Sequence, residues 1–144
     1  MPADDQHTVT WEHRQAELWD RLFQVTSDVV ALADSLGDDA GASIVKESMV
    51  RSAMGVGAQL VRANAADEAA DFRASIKEAR LRAVETDYWL RMAYVLQQRE
   101  DVQRDLSGII SQYAGIVDLL DRFIRHTKTE RDVLLRHTRG PRVS

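Results

Sequence analysis

Between Pro2 and Pro141 the chain contains no proline. Proline ends helices because it lacks the N–H and clashes with the preceding turn. A long interior without it, rich in Ala, Leu, Arg, Glu and Gln, predicts helices throughout. Apolar residues recur at steps of three and four, the period of a helix with one buried face. Only three short stretches interrupt that rhythm: Gly37-Asp38-Asp39-Ala40-Gly41, Asn64-Ala65-Ala66-Asp67 and Arg99-Glu100-Asp101. They divide the chain into helices expected at Val9–Leu36, Ala42–Ala63, Glu68–Gln98 and Val102–His137. Connections so short make consecutive helices antiparallel neighbours. The expected fold is all-α, an up-down-up-down antiparallel four-helix bundle over 9–138. It has a disordered polar tail at 1–8 and a flexible tail at 139–144. At 144 residues this is one domain with enough chain to bury a core.

The stretch from Arg51 to Leu96 organises the rest. Its first part is a run of small residues, with Ser52 and Gly55 continuing a side begun at Ser48. A glycine inside a helix costs roughly 1 kcal/mol relative to alanine, so Gly55 and Gly57 predict a close approach by a neighbouring helix. Ile44, Val50, Ala53, Met54, Gly57, Leu60 and Val61 are expected to supply the apolar surface of this helix. In the third helix Phe72, Ile76, Ala79, Ala83, Leu90 and Ala93 form a seam that also takes in Thr86 and Gln97. Gly37 suits a helix C-terminus, Asp38 or Asp39 an N-cap for the second helix, and Asp67 an N-cap for the third.

The outer helices repeat the pattern. In the first, Trp11, Leu18, Val25 and Leu32 are spaced by sevens, with Leu22, Val29 and Leu36 as the companion row. In the fourth, Val102, Leu106, Ile109, Tyr113, Ile116, Leu120 and Phe123 form the seam, and Ile110, Val117 and Ile124 lie beside it. Two helices carry more apolar surface than one seam uses. Trp19, Phe23 and Val30 make a second stripe on the first helix. Leu81, Tyr88, Trp89, Met92 and Leu96 do so on the third. Trp19, Phe23, Val30, Trp89 and Met92 are therefore candidate oligomer-interface residues, the competing reading being a wide core-facing stripe.

No chemistry assembles along the chain. The absence of cysteine removes disulfides, thiolate metal sites and cysteine nucleophiles together. None of the four histidines follows a glutamate by three positions, as a di-metal bundle requires. His-Glu-x-x-His, a phosphate-binding glycine loop and a nucleophile elbow are all missing. His13 and Glu17 share a helix face, but one such pair falls short of the three or four ligands zinc needs. No enzyme, metal or cofactor is expected. No apolar run approaches the ~20 residues that span a bilayer, so no membrane association is expected. The N-terminus shows no secretory pattern, which points to the cytoplasm.

Charge is uneven. From Arg122 to Ser144 seven basic residues face only Glu130 and Asp132, a net +5, leaving −9 over the rest. Arg122, Arg125, Lys128, Arg131, Arg136 and Arg139 are candidate nucleic-acid contacts, as are Arg62, Arg73, Lys77 and Arg80, which follow a helical spacing. The plainer reading of the basic end is a solvated helix whose cations complement its C-terminal dipole.

The run from Arg51 to Ala63 resembles the signature R-A-A-x-S-I-x-x-N-I-A-E-G of small four-helix-bundle proteins encoded by intervening sequences of large-subunit ribosomal RNA. Arg51, Val56, Gln59 and Leu60 hold the matching positions. Phe72, Ile76, Ala79, Glu85, Asp87 and Leu90 keep register with a second segment of that family, F-I-x-F-L-x-I-A-x-G-S-L-x-E-L-E-T-Q-L. Arg62 stands in place of the signature glutamate, Ala63 in place of its glycine, and Leu81-Arg82-Ala83 in place of G-S-L. The resemblance implies a bundle that assembles as a homopentameric ring without enzymatic activity. It also implies inter-helix polar contacts at Arg51, Gln59, Glu85 and Asp87, with Arg51 meeting the two acids. Surface pairs Arg82–Glu85 and Asp87–Arg91 are the alternative. A related branch, the accessory proteins of diversity-generating retroelements, binds nucleic acid and a reverse transcriptase. Those proteins are basic, whereas this chain carries −4. The functional expectation is an oligomeric scaffold or adaptor that binds another protein. The alternative is a nucleic-acid-binding accessory protein, partnering a reverse transcriptase.

Overall fold

The structure, a computed structural model, describes the backbone of residues 2–139 and the side chains of residues 13–127. Four helices and no strand occur among the described residues: α1 (Pro2–Ala33), α2 (Ala40–Ala65), α3 (Ala69–Leu96) and α4 (Glu100–Arg139). The backbone is already helical at Pro2, so the polar stretch expected as a tail belongs to α1. The side chains of Trp11, Lys128, Arg131, Arg136 and Arg139 lie outside the described residues, as does most of the expected 139–144 tail.

Each helix packs on two others, α1 on α2 and α4, and α3 on α2 and α4; among the described residues no diagonal pair is in contact. Partners across the seams run in opposite order. Arg80 of α3 binds Asp121 of α4, while farther along α3 the Gln97 carbonyl accepts a hydrogen bond from Gln103 Nε2 at 2.8 Å. Gly55 of α2 lies under Arg82 of α3, whereas Ser48, earlier in α2, shares a cleft with Trp89, later in α3. The neighbours are thus antiparallel, as the short connections require.

The turns are closed by local hydrogen bonds. At the end of α1, Ser35 N–H donates to the Leu32 carbonyl and Leu36 N–H to that of Ala33. Gly37 then takes φ +25°, a conformation that side-chain-bearing residues disfavour. Asp39 caps α2 by accepting from Ala42 N–H at 2.9 Å. Asp67 does not cap α3: the helix starts one residue later, and Glu68 at the N-cap makes no side-chain capping bond.

The core follows the heptad seams. Leu18, Leu22, Val25, Val29 and Leu32 are buried in α1, as is Leu36 in the turn after it, and all seven seam residues from Val102 to Phe123 are buried in α4. In α3 the buried set is Ile76, Ala79, Ala83, Thr86, Leu90 and Ala93; the Thr86 hydroxyl donates to the Arg82 carbonyl one turn back. In α2 the expectation needs correction. Val45, Met49, Ser52, Ala53, Val56, Leu60 and Ala63 are buried, while Ile44, Met54 and Val61 face outward. That helix carries apolar residues on two faces with the same period, and its neighbours select only one.

Side-chain size sets the spacing. The buried faces of α2 and α3 are rich in Ser52, Ala53, Ala63, Ala79, Ala83 and Ala93, and these two helices approach most closely along their length. α1 approaches its two neighbours less closely. Arg21 of α1 lies over Gly115 of α4. Farther along, a cleft of about 460 Å³ separates the same helices beside Gly108, lined by Asp28, Ser35, Arg104 and Gln112.

Candidate interaction surface

Phe23 is 71% exposed, and its ring tilts against Trp19 with centroids 5.9 Å apart. Both sit on the α2 side of α1, one turn apart. Across from them Met54 and Val61 of α2 are also exposed. Between the two helices runs a cleft of about 210 Å³, lined almost wholly by apolar groups, with Gly57 and Ala58 as part of its floor. A Cβ at Gly57 would stand 4.0 Å from Leu22 Cδ2, an ordinary contact, so the close approach expected at this glycine is not found. Val30, two turns beyond Phe23, extends the exposed row.

The outer side of α3 holds a second apolar surface. Leu81, Tyr88 and Val95 are spaced by sevens and are 50%, 54% and 75% exposed. Val84 joins them. Tyr88 packs edge-on against Trp89 with centroids 5.0 Å apart. A row stepping by seven stays on one face for two turns at a time, the arrangement by which helices pack on other helices. The interface residues expected from sequence thus divide. Phe23 and Val30 are exposed; Trp19, Trp89 and Met92 are partly covered by the core of their own chain. Met54 and Val61 were expected only as part of the apolar surface of the second helix, and Val84 and Val95 were not singled out. Their spacing carried the signal, but it also fits a core.

The polar expectations fare differently. Arg51 does not reach Glu85 or Asp87. It pairs with Glu47 one turn back, Nη2 to Oε1 2.6 Å, on an exposed surface. Glu85 pairs with Arg82 at 3.1 Å and Asp87 with Arg91 at 2.8 Å. Long side chains took partners on their own helix, where no backbone has to be positioned. Arg51, Gln59 and Glu85 nonetheless border one shallow depression between α2 and α3. Arg82 crosses it, bound to Glu78 as well as Glu85, with its stem over Gly55. A Cβ at Gly55 would stand 3.5 Å from Arg82 Cδ, an ordinary contact, so the arginine does not require a glycine there.

Among the described residues the basic positions sit in different surroundings. Arg80 Nε bonds Asp121 Oδ1 at 2.5 Å, so the guanidinium serves as an α3–α4 tie instead of an exposed phosphate contact. Arg73 is half-buried with Nε enclosed, while Arg62, Lys77, Arg122 and Arg125 are exposed. Among the described residues no three His, Asp or Glu side chains gather to hold a metal, and no helix is long and apolar enough to cross a membrane.

No protein-family model and no curated protein matches the chain. Among solved structures it is similar to a protein of unknown function from the S23 ribosomal protein family of Bacteroides thetaiotaomicron. The TM-score is 0.70 over 78% of this chain and 98% of that one, at 22% identity. The two share a fold. Identity at that level speaks to architecture alone, and it supports the four-helix topology derived from the seams above.

Proposed function

We propose that this chain is a non-enzymatic four-helix scaffold that associates with copies of itself in the cytoplasm and presents the assembled surface to another protein. One observation carries the reading. Exposed apolar rows run along α1, α2 and α3 at seven-residue steps: Phe23 and Val30, Met54 and Val61, and Leu81, Tyr88 and Val95. A soluble monomer scatters such residues singly, and contiguous rows mark interaction sites. The resemblance of Arg51–Ala63 and of positions 72–90 to the intervening-sequence proteins supports a ring of five copies.

Light scattering across a concentration series tests this. The expected result is a mass several times that of the 16.3 kDa chain. Replacing Trp19 and Phe23 together with serine is expected to give smaller particles with helicity retained, since Phe23 contributes little to the core of its own chain. A wild-type protein that is monomeric throughout overturns the reading. The nucleic-acid alternative has its own test: binding to RNA or DNA in a gel-shift series that weakens steeply with salt would favour it over a protein partner.

A further inference from the structure

The cleft between α1 and α2 and the apolar row along the outside of α3 stand at the same height in the bundle. Leu22 of α1 lies at Gly57 of α2, and two residues from Gly57, Gly55 lies under Arg82 of α3. At about 1.5 Å per residue this puts Phe23 within about one turn of Leu81 and Val84 along the bundle axis. α1 and α3, each antiparallel to α2, run in the same direction. Val30, two turns beyond Phe23, is therefore level with the stretch from Tyr88 to Arg91. The two surfaces also match in extent. Phe23, Val30, Met54 and Val61 along the cleft are exposed, as are Leu81, Val84, Tyr88 and Val95 on the row. With whole side chains of this size offering roughly 150–250 Å², each set leaves about 400 Å² of apolar surface open.

We infer that the α3 row of one copy seats in the α1–α2 cleft of the next, with the bundles of both copies pointing the same way. This rests on the self-association proposed above and specifies its mode. Seating removes about 800 Å² of apolar surface from water. At the roughly 60% apolar share of a protein interface the whole contact is about 1,300 Å², within the roughly 1,200–2,000 Å² of stable ones. The acids of α3 do not oppose it, because Glu78 and Glu85 hold Arg82 and Asp87 holds Arg91 within the chain. Equal height and shared direction relate each copy to the next by rotation about an axis along the helices, with no shift along it. Such a contact, between two different surfaces, closes a ring. Around the square of helices the cleft lies on a side and the row at a corner, with α2 alone between them the short way round. The two point roughly 90–135° apart, so each copy turns by about 45–90° and the ring closes at about four to eight copies, a range that holds the five proposed above. α2 then faces the centre of the ring and α4 the outside.

Two variants, each with one surface disabled, test the contact: Phe23→Asp in the cleft and Tyr88→Asp on the row. Both positions are exposed, and circular dichroism confirms the fold. Each variant alone is expected to be monomeric. Mixed, they are expected to form a one-to-one dimer, because one retains the row and the other the cleft. Direction and height have their own readout, since the chain has no cysteine. Arg91 lies three turns from Arg80, on the α4 side of the row, which meets α1 of the next copy. Val30→Cys mixed with Arg91→Cys is expected to cross-link under mild oxidation, and Val30→Cys with Leu81→Cys is not. If wild type associates but the single variants still assemble, their mixture stays monomeric, or the Leu81 pair cross-links in preference to the Arg91 pair, this mode is wrong while self-association stands. A wild type that never associates removes both.

Discussion

An Ala83→Leu substitution is expected to lower the unfolding free energy by about 3 kcal/mol, the upper part of the usual range for overfilling a packed core. Ala83 is fully buried on α3, on a face that also carries Ala79, Thr86 and Ala93. Small side chains there leave little free volume for an added isobutyl group. The added volume has to push α3 away from the helices that cover it. A urea titration reads the effect as a lower midpoint with an unchanged slope. Ala74→Leu, at an exposed position of the same helix, serves as the control and is expected to change stability by no more than about 0.5 kcal/mol. If Ala83→Leu behaves like the control, the close packing around the buried face of α3 is wrong.

The second large effect concerns Tyr113. Its side chain is fully buried in α4, and its hydroxyl has no hydrogen-bond partner of ordinary geometry, although Thr26 of α1 lies toward it. Burial pushes its pKa up to about 12 from an ordinary 10. A group whose folded pKa is raised contributes stability that is fully present below the unfolded value. Between pH 10 and 12 the unfolded chain ionises first, and the folded state loses up to about 2.7 kcal/mol. Tyr113→Phe is expected to abolish that share of the alkaline loss. At neutral pH it is expected to raise stability by about 1 kcal/mol, since a buried hydroxyl without a partner costs that much or more. Denaturant midpoints of both proteins at pH 7, 10 and 11 measure the two effects together. Parallel pH curves would show that the hydroxyl is hydrated in the folded protein.

The seams of α3 and α4 could be read from spacing because each has one row at the three-four step that its neighbours cover, unbroken in α4 and, in α3, buried from Ile76 to Ala93 with Thr86 included. The seam of α2 could not. Ile44, Met54 and Val61 repeat with the same period as Val45, Met49, Val56 and Leu60, and period alone does not say which row has a neighbour. The polar contacts were misjudged for a related reason. Arg51 had a remote acid implied by resemblance and a near one in Glu47, and the near one needs no helix to be positioned. The apolar excess on α1 and α3 was legible, since Phe23 and Tyr88 exceed what any single seam requires. Arg82 was not, because nothing in its own surroundings in sequence announces that it crosses to another helix.

The uneven spacing of the helices bears on the order in which the protein comes apart. The α2–α3 and α3–α4 connections each span three residues, and those pairs pack closely, so they form a compact three-helix unit with inexpensive loop closures. α1 is attached to that unit across a longer connection, by Leu22 on Gly57 and by Arg21 over Gly115, with open space beside Gly108. It is the segment that detaches at the lowest free energy, and amide exchange in its seam ahead of α3 would register that. One wall of the apolar cleft travels with it, so mild heat or dilute denaturant would dismantle the cleft well before the bundle melts.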